Sequence, residues 1–133
     1  MAFVLDASIA VGWVVGRQAT AYSRRFRLRA RREPYHAPAL WRLETVNALR
    51  SLERRRAIST EAADTAADIL ERLQPVLHET SMRSRELLRL ARKFDLSSYD
   101  ASYLALALEL RLPLACGDGP LKAALARAGV KPA

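Results

Sequence analysis

The sequence predicts an α/β chain built on a parallel sheet covered on both faces, and three observations carry that expectation. Phe3-Val4-Leu5, Tyr35-His36-Ala37, Pro75-Val76-Leu77-His78-Glu79 and Leu112-Pro113-Leu114-Ala115-Cys116 are short runs of strand character. Helix-compatible segments separate and follow them, so strands and helices alternate throughout. The chain has 133 residues, half of them apolar, which suits one compact core over residues 1–133 and is short for two.

Each element has its own justification. The first strand ends at Asp6, and Ser8 to Val15 continues with helix-compatible apolar residues. From about Ala19 to Arg32 a helix places Tyr22, Phe26 and Ala30 at i, i+4 and i+8, with Arg24, Arg25, Arg27, Arg29, Arg31 and Arg32 flanking that stripe. Pro34 and Pro38 bracket the second strand. A long helix from Ala39 to Arg56 follows, then one from Thr60 to Leu73 with Thr60 as its N-cap. After the third strand, Ser84 to Phe94 is amphipathic through Leu87, Leu88, Leu90 and Ala91, and Ser97 or Ser98 opens a very apolar helix through Leu110. The fourth strand tolerates Pro113 at its start. Gly117-Asp118-Gly119-Pro120 then turns the chain into a last helix, Leu121 to Ala128, closed by Gly129, and Val130-Lys131-Pro132 is at most the stub of a fifth strand.

Lys and Arg number 22 against 14 Asp and Glu, a net charge of +8. That balance suits a polyanionic partner such as nucleic acid, although solubility or an arginine-rich source would produce it too. Cys116 is the single cysteine, which excludes an internal disulfide and a cysteine-based zinc site and fits a reducing, cytoplasmic setting. The apolar opening from Phe3 to Val15 lacks a basic leader, carries Asp6, and is shorter than the roughly 20 residues of a spanning helix. It is read as part of the fold, with no membrane role.

In a parallel sheet, ligands bind beyond the carboxyl ends of the strands. Asp6 follows the first strand and Asp118 the fourth, so both fall at one sheet edge. Glu44 lies about one turn into the helix after the second strand. At 100° per residue it shares a narrow polar strip with Asn47, Ser51 and Arg54, while Trp41, Leu43, Val46, Leu49 and Leu52 predict burial nearly all round. Asp100 interrupts an apolar helix face made by Tyr103, Leu104 and Ala107. Each acid alone has an ordinary explanation: Asp6 and Asp118 as N-caps, Asp100 in a capping box with Ser97, Glu44 at the positive end of its helix. Four independent caps have no reason to fall in this strand-linked pattern. Carboxylates brought together repel unless cations neutralise them, and oxygen-only clusters bind Mg²⁺ or Mn²⁺. An acidic metal pocket in a basic protein suggests phosphodiester chemistry, with water activated by the ions and arginines holding the chain outside.

The segments Phe3-Val4-Leu5-Asp6-Ala7-Ser8-Ile9, Trp41-Arg42-Leu43-Glu44 with Asn47-Ala48-Leu49, Leu96 to Ala107 around Tyr99-Asp100-Ala101-Ser102-Tyr103, and Cys116-Gly117-Asp118-Gly119-Pro120-Leu121 resemble the PIN domain, and more narrowly the VapC toxins of toxin–antitoxin pairs. The resemblance implies a three-layer α/β/α fold with a central parallel sheet of four to five strands. It implies a Mg²⁺-dependent endoribonuclease, usually dimeric, neutralised by a cognate VapB-like antitoxin. Carried over, Asp6, Glu44, Asp100 and Asp118 are the acidic metal ligands, and Ser8 supports the first of them. Cys116 stands where the family often has Thr or Ser, which removes one hydroxyl near the fourth acid.

Other residues are read more plainly. His36 and His78 have no partner at metal-ligand spacing and take structural or surface roles, and no triad forms around Ser8. Cys116 is a small buried residue. The arginine run and Arg54-Arg55-Arg56 are solvated faces or contacts for phosphates or for an antitoxin's acidic groups. Phosphatases with an aspartate nucleophile place a second acid two residues on, where Ser8 stands here. The alternative from another class is a non-catalytic PIN-like module that binds RNA or protein. A pure polyanion binder has no use for a buried negative cluster.

Overall fold

The computed structural model describes residues 1–117 and 119–133. Strands β1 (Phe3–Leu5), β2 (Tyr35–Pro38), β3 (Val76–His78) and β4 (Leu114–Ala115) form one sheet in the order β3-β2-β1-β4, every neighbouring pair parallel. Val4 pairs with His36 on one side and Leu114 on the other, which makes β1 central and fully buried. The helices are α1 (Ala7–Val14), α2 (Ala21–Arg29), α3 (Trp41–Arg54), α4 (Thr60–Arg72), α5 (Ser84–Phe94), α6 (Ser98–Leu110) and α7 (Pro120–Ala128). The chain steps one way across the sheet from β1 to β3 and returns from β3 to β4. Right-handed crossovers therefore put α1–α4 on one face and α5–α6 on the other. This is the expected mixed α/β architecture with a parallel sheet of four strands.

The core forms where both faces meet β1. The Phe3 ring lies 5.3 Å from Phe26 of α2 and 6.1 Å from Tyr35, and Trp13 of α1 meets Tyr35 edge-on at 6.0 Å. On the opposite face Tyr103, Leu104 and Ala107 of α6 are buried. Burial of each large side chain here stabilises the fold by ~1.5–3 kcal/mol. The α1–α2 junction depends on a missing side chain. A Cβ on Gly12 would stand 2.9 Å from Ser23 Oγ and 3.0 Å from the Gln18 carbonyl oxygen. That closeness lets Trp13 Nε1 donate to the Ser23 carbonyl at 2.6 Å.

Several expectations shift. Helix α2 begins after Thr20 because Thr20 and Ser23 form a reciprocal capping box, and a 3-10 turn at Gly16–Gln18 precedes it. The N-cap of α4 is Ser59, which accepts from Ala62 N at 3.1 Å, while the Thr60 hydroxyl bonds Glu53 at 3.1 Å. The burial expected all round α3 is corrected: Trp41, Leu49 and Leu52 are buried, but Leu43 is 74% and Val46 51% exposed. Helix α3 packs on α1 and α4, and these two contacts cover only part of its circumference. The fifth strand reduces to a bridge, with Leu114 N donating to the Lys131 carbonyl at 3.0 Å and Ala133 N to the Leu114 carbonyl at 3.1 Å. Among the described residues no helix is long and apolar enough to cross a membrane.

Candidate active site

Three of the four acids are described, and the fold delivers each to the carboxyl-end edge of the sheet by a short connection. Asp6 follows β1 directly, and its backbone N–H donates to the Ala115 carbonyl of β4 at 2.9 Å. It caps α1, with Oδ2 accepting from the Ser8 backbone at 3.3 Å and from Ser8 Oγ at 2.5 Å. Ser8 Oγ in turn accepts from Gly117 N at 3.2 Å, so one hydroxyl ties the Asp6 carboxylate to the turn that follows β4. A Cβ on Gly117 would lie 3.2 Å from that hydroxyl, which is why a residue without one suits the position. Glu44 stands in the first turn of α3 and Asp100 in the first turn of α6, where Ser97 Oγ accepts from Asp100 N at 3.1 Å. Both face the positive ends of their helices. Asp118, the fourth expected ligand, lies outside the described residues.

The ordinary capping roles are thus real for Asp6, and in half for Asp100, yet the acids also feel one another. Burial pushes the Asp6 carboxyl above the usual range; the Ser8 hydrogen bonds pull it back and the Asp100 charge pushes it further up. Glu44 is raised by burial, partly offset by the Tyr103 hydroxyl beside it, with Asp6 and Asp100 adding to the rise. Asp100 is raised by burial.

Tyr103 is the site residue that the sequence reading assigned only to an apolar face. It sits one turn after Asp100, so an aromatic with a polar tip in an otherwise apolar helix was the available signal. Burial and the neighbouring Glu44 hold its phenol far above the usual range, hence protonated. Glu44 Oε1 and the Tyr103 hydroxyl are buried beside one another, neither with a hydrogen-bond partner of good geometry. An orphaned carboxylate oxygen among mutually repelling acids is the environment a cation would relieve. Among the described residues no three potential ligands close around a single point. The donors nevertheless fit Mg²⁺, which keeps several waters and needs only one or two direct carboxylates.

The basic exterior sorts into tied and open members. Arg29 bonds Glu33 at 2.6 and 3.1 Å, and Arg27 donates to the Trp13 carbonyl at 3.2 Å. Arg25 and Lys122 stack on Tyr22 at 5.1 and 4.4 Å. Arg24, Arg31, Arg32 and Arg54, Arg55, Arg56 are exposed. The two histidines, which have no partner at metal-ligand spacing in sequence, meet each other in the fold. The β2–β3 pairing sets His36 Nδ1 2.9 Å from His78 Nε2, and burial together with His78 holds His36 below the usual range.

The family model of the PIN domain matches residues 3–124. The chain belongs to the PIN domain family. Its fold is also similar to the crystal structure of PAE2754 from Pyrobaculum aerophilum, with a TM-score of 0.62 and 24% identity, covering 96% of this chain and 79% of that one. No significant match exists among curated proteins. PIN domains are generally metal-dependent nucleases. In this PIN domain Asp6, Glu44 and Asp100 lie at the carboxyl-end edge of the sheet.

Proposed function

We propose that this PIN domain is a Mg²⁺-dependent endoribonuclease, with Mn²⁺ as a substitute, and that Asp6, Glu44, Asp100 and Asp118 are its catalytic metal ligands. The observation that carries the reading is the electrostatic coupling of Asp6, Glu44 and Asp100 around the orphaned Glu44 oxygen. A divalent cation bound there supplies neutralisation of the phosphate charge and a more acidic water. The chain's own part is orientation. Ser8 fixes the Asp6 carboxylate and, through Gly117, holds β1 and the turn after β4 at one spacing. Tyr103, kept neutral, steadies Glu44 without adding charge. The exposed arginines hold the RNA backbone outside the acids, which would otherwise repel it.

The finer reading is a VapC-type toxin, cytoplasmic and homodimeric, neutralised by a VapB-like antitoxin. It rests on the Asp6-Ala7-Ser8 and Tyr99-Asp100-Ala101-Ser102-Tyr103 segments. Leu43, Val46, Leu88 and Leu108, left exposed on α3, α5 and α6, supply apolar surface for a partner. The test is RNA cleavage by the purified protein with Mg²⁺ or Mn²⁺, stopped by a chelator and abolished in Asp6→Asn and Asp100→Asn. Unchanged rates in those variants refute the assignment. Expression should arrest growth, with rescue by a small neighbouring gene product; normal growth at full soluble expression argues against the toxin role.

A further inference from the structure

Edge strand β3 is held to the sheet by few contacts. It has three residues, pairs with β2 on one side only, and leaves Val76 48% and Leu77 45% exposed, so little apolar burial secures it. Its start is tied by Gln74 N, which donates to the Tyr35 hydroxyl at 3.1 Å, and its end by the His78 carbonyl, which accepts from Ala39 N at 2.8 Å. Ala39 lies two residues before α3, the helix that carries Glu44, so this last bond also pins the entry to that helix. The side chains add a further tie. The register pairs His36 with Val76 and Pro38 with His78, which sets the two rings two residues apart on one face of the sheet. His36 Nδ1 and His78 Nε2 come within 2.9 Å, with ring centroids 5.1 Å apart. A contact that short between two ring nitrogens is a hydrogen bond only when one carries a proton and the other is bare.

We propose that His36 and His78 form an acid-sensitive clasp, which holds β3 and the entry to α3 against β2 while the pair carries at most one extra proton and releases them when both rings are charged. With both rings neutral, the N–H of one donates to the lone pair of the other. One added proton keeps the bond, because the charged ring donates and the neutral ring accepts. The second puts an N–H on each of the facing nitrogens, and two cations then meet at hydrogen-bond distance. Burial and the charge of His78 hold His36 below the usual range, so His36 is the ring that takes the second proton. Among the described residues, the other charged groups facing the pair are Glu79, just after β3, and Glu109 on α6, which share with His78 a cleft between β3, α5 and α6. The residue that α5 brings to that cleft, Leu87, and the residue that β1 pairs with His36, Val4, are uncharged.

Amide hydrogen exchange and ring NMR on the full chain test this. Exchange is followed at Ala39, whose N–H meets the His78 carbonyl, against Val4, whose N–H donates to the Pro113 carbonyl at 2.9 Å on the side of β1 away from β2. Corrected for intrinsic rates, protection at Ala39 relative to Val4 should fall at least about tenfold between about pH 7 and about pH 5. In the double variant H36N/H78Q, whose amides keep hydrogen-bonding groups near both facing nitrogens and stay uncharged, the ratio should change less than about twofold. In the wild type, ring ¹⁵N shifts should show the two protons bound in steps at least about one pH unit apart, with His36 second. A wild-type ratio that does not fall, a fall that persists in H36N/H78Q, or two rings that titrate together as independent groups overturns the clasp. A fall that E79Q/E109Q removes while H36N/H78Q keeps it overturns the clasp in favour of those carboxylates.

Discussion

Replacing Asp6 by Asn separates the two accounts of this residue, because one predicts almost no change at any pH and the other a gain that grows with pH. As an N-cap, Asn is about as good as Asp, so a purely capping role predicts a stability change within a few tenths of a kcal/mol at every pH. As a member of a repelling cluster, Asp6 costs stability whenever it is ionised. Its folded carboxyl is raised by burial and by Asp100. A raised acid favours folding below its unfolded pKa and loses that contribution as pH rises through the folded value. The Asn variant should thus match the wild type near pH 4 and exceed it near pH 8, by ~1 kcal/mol. That difference corresponds to about 4 °C in Tm for a chain of this size. Added Mg²⁺ should close the gap by stabilising the wild type more than the variant, since a ligand of the folded state adds RT ln(1 + [L]/Kd). Nuclease activity should meanwhile fall at least about a hundredfold, ~2.7 kcal/mol of barrier. Urea melts at both pH values, with and without Mg²⁺, provide the assay. A variant equal to or weaker than the wild type at pH 8 refutes the reasoning.

Gly12→Ala should destabilise by ~2 kcal/mol, because its Cβ would press on Ser23 and on the Gln18 carbonyl; a urea midpoint equal to wild type rules out the tight α1–α2 junction. Ser8→Ala should lower RNA cleavage about tenfold with the fold intact, through the lost tie between Asp6 and Gly117, and a single-turnover assay reads this directly. Glu33 is held at about 2 by Arg29 and the N-terminus, so its contribution is present above its ordinary value and lost as pH falls from there toward 2. Glu33→Gln should therefore be less stable than the wild type at neutral pH and converge with it near pH 2, flattening the acid limb in that window, which urea melts across pH read directly.

The alternation of strands and helices, and even the ends of α5, were legible because apolar periodicity and turn residues act locally. What lay outside that reach was set by tertiary contact. Leu43 and Val46 fit an all-round apolar helix in sequence, yet only the packing of α1 and α4 decides which face of α3 is covered. The His36–His78 pair spans 42 residues, and its 2.9 Å approach follows from a parallel register that no spacing rule encodes. Asp6, Glu44 and Asp100 were readable because each lies within a turn of a strand end or a helix start. Tyr103 was missed because an aromatic on an apolar helix ordinarily signals core, and its hydroxyl matters only once α3 brings Glu44 beside it.

The central claim is that separate acids act as one cation site, and calorimetric titration with Mn²⁺ tests it most directly. The wild type should bind in a saturable step that weakens at least about tenfold in each of Asp6→Asn, Glu44→Gln, Asp100→Asn and Asp118→Asn, four residues from four parts of the chain. Binding that is absent from the wild type, or unchanged in any of the four variants, would contradict it.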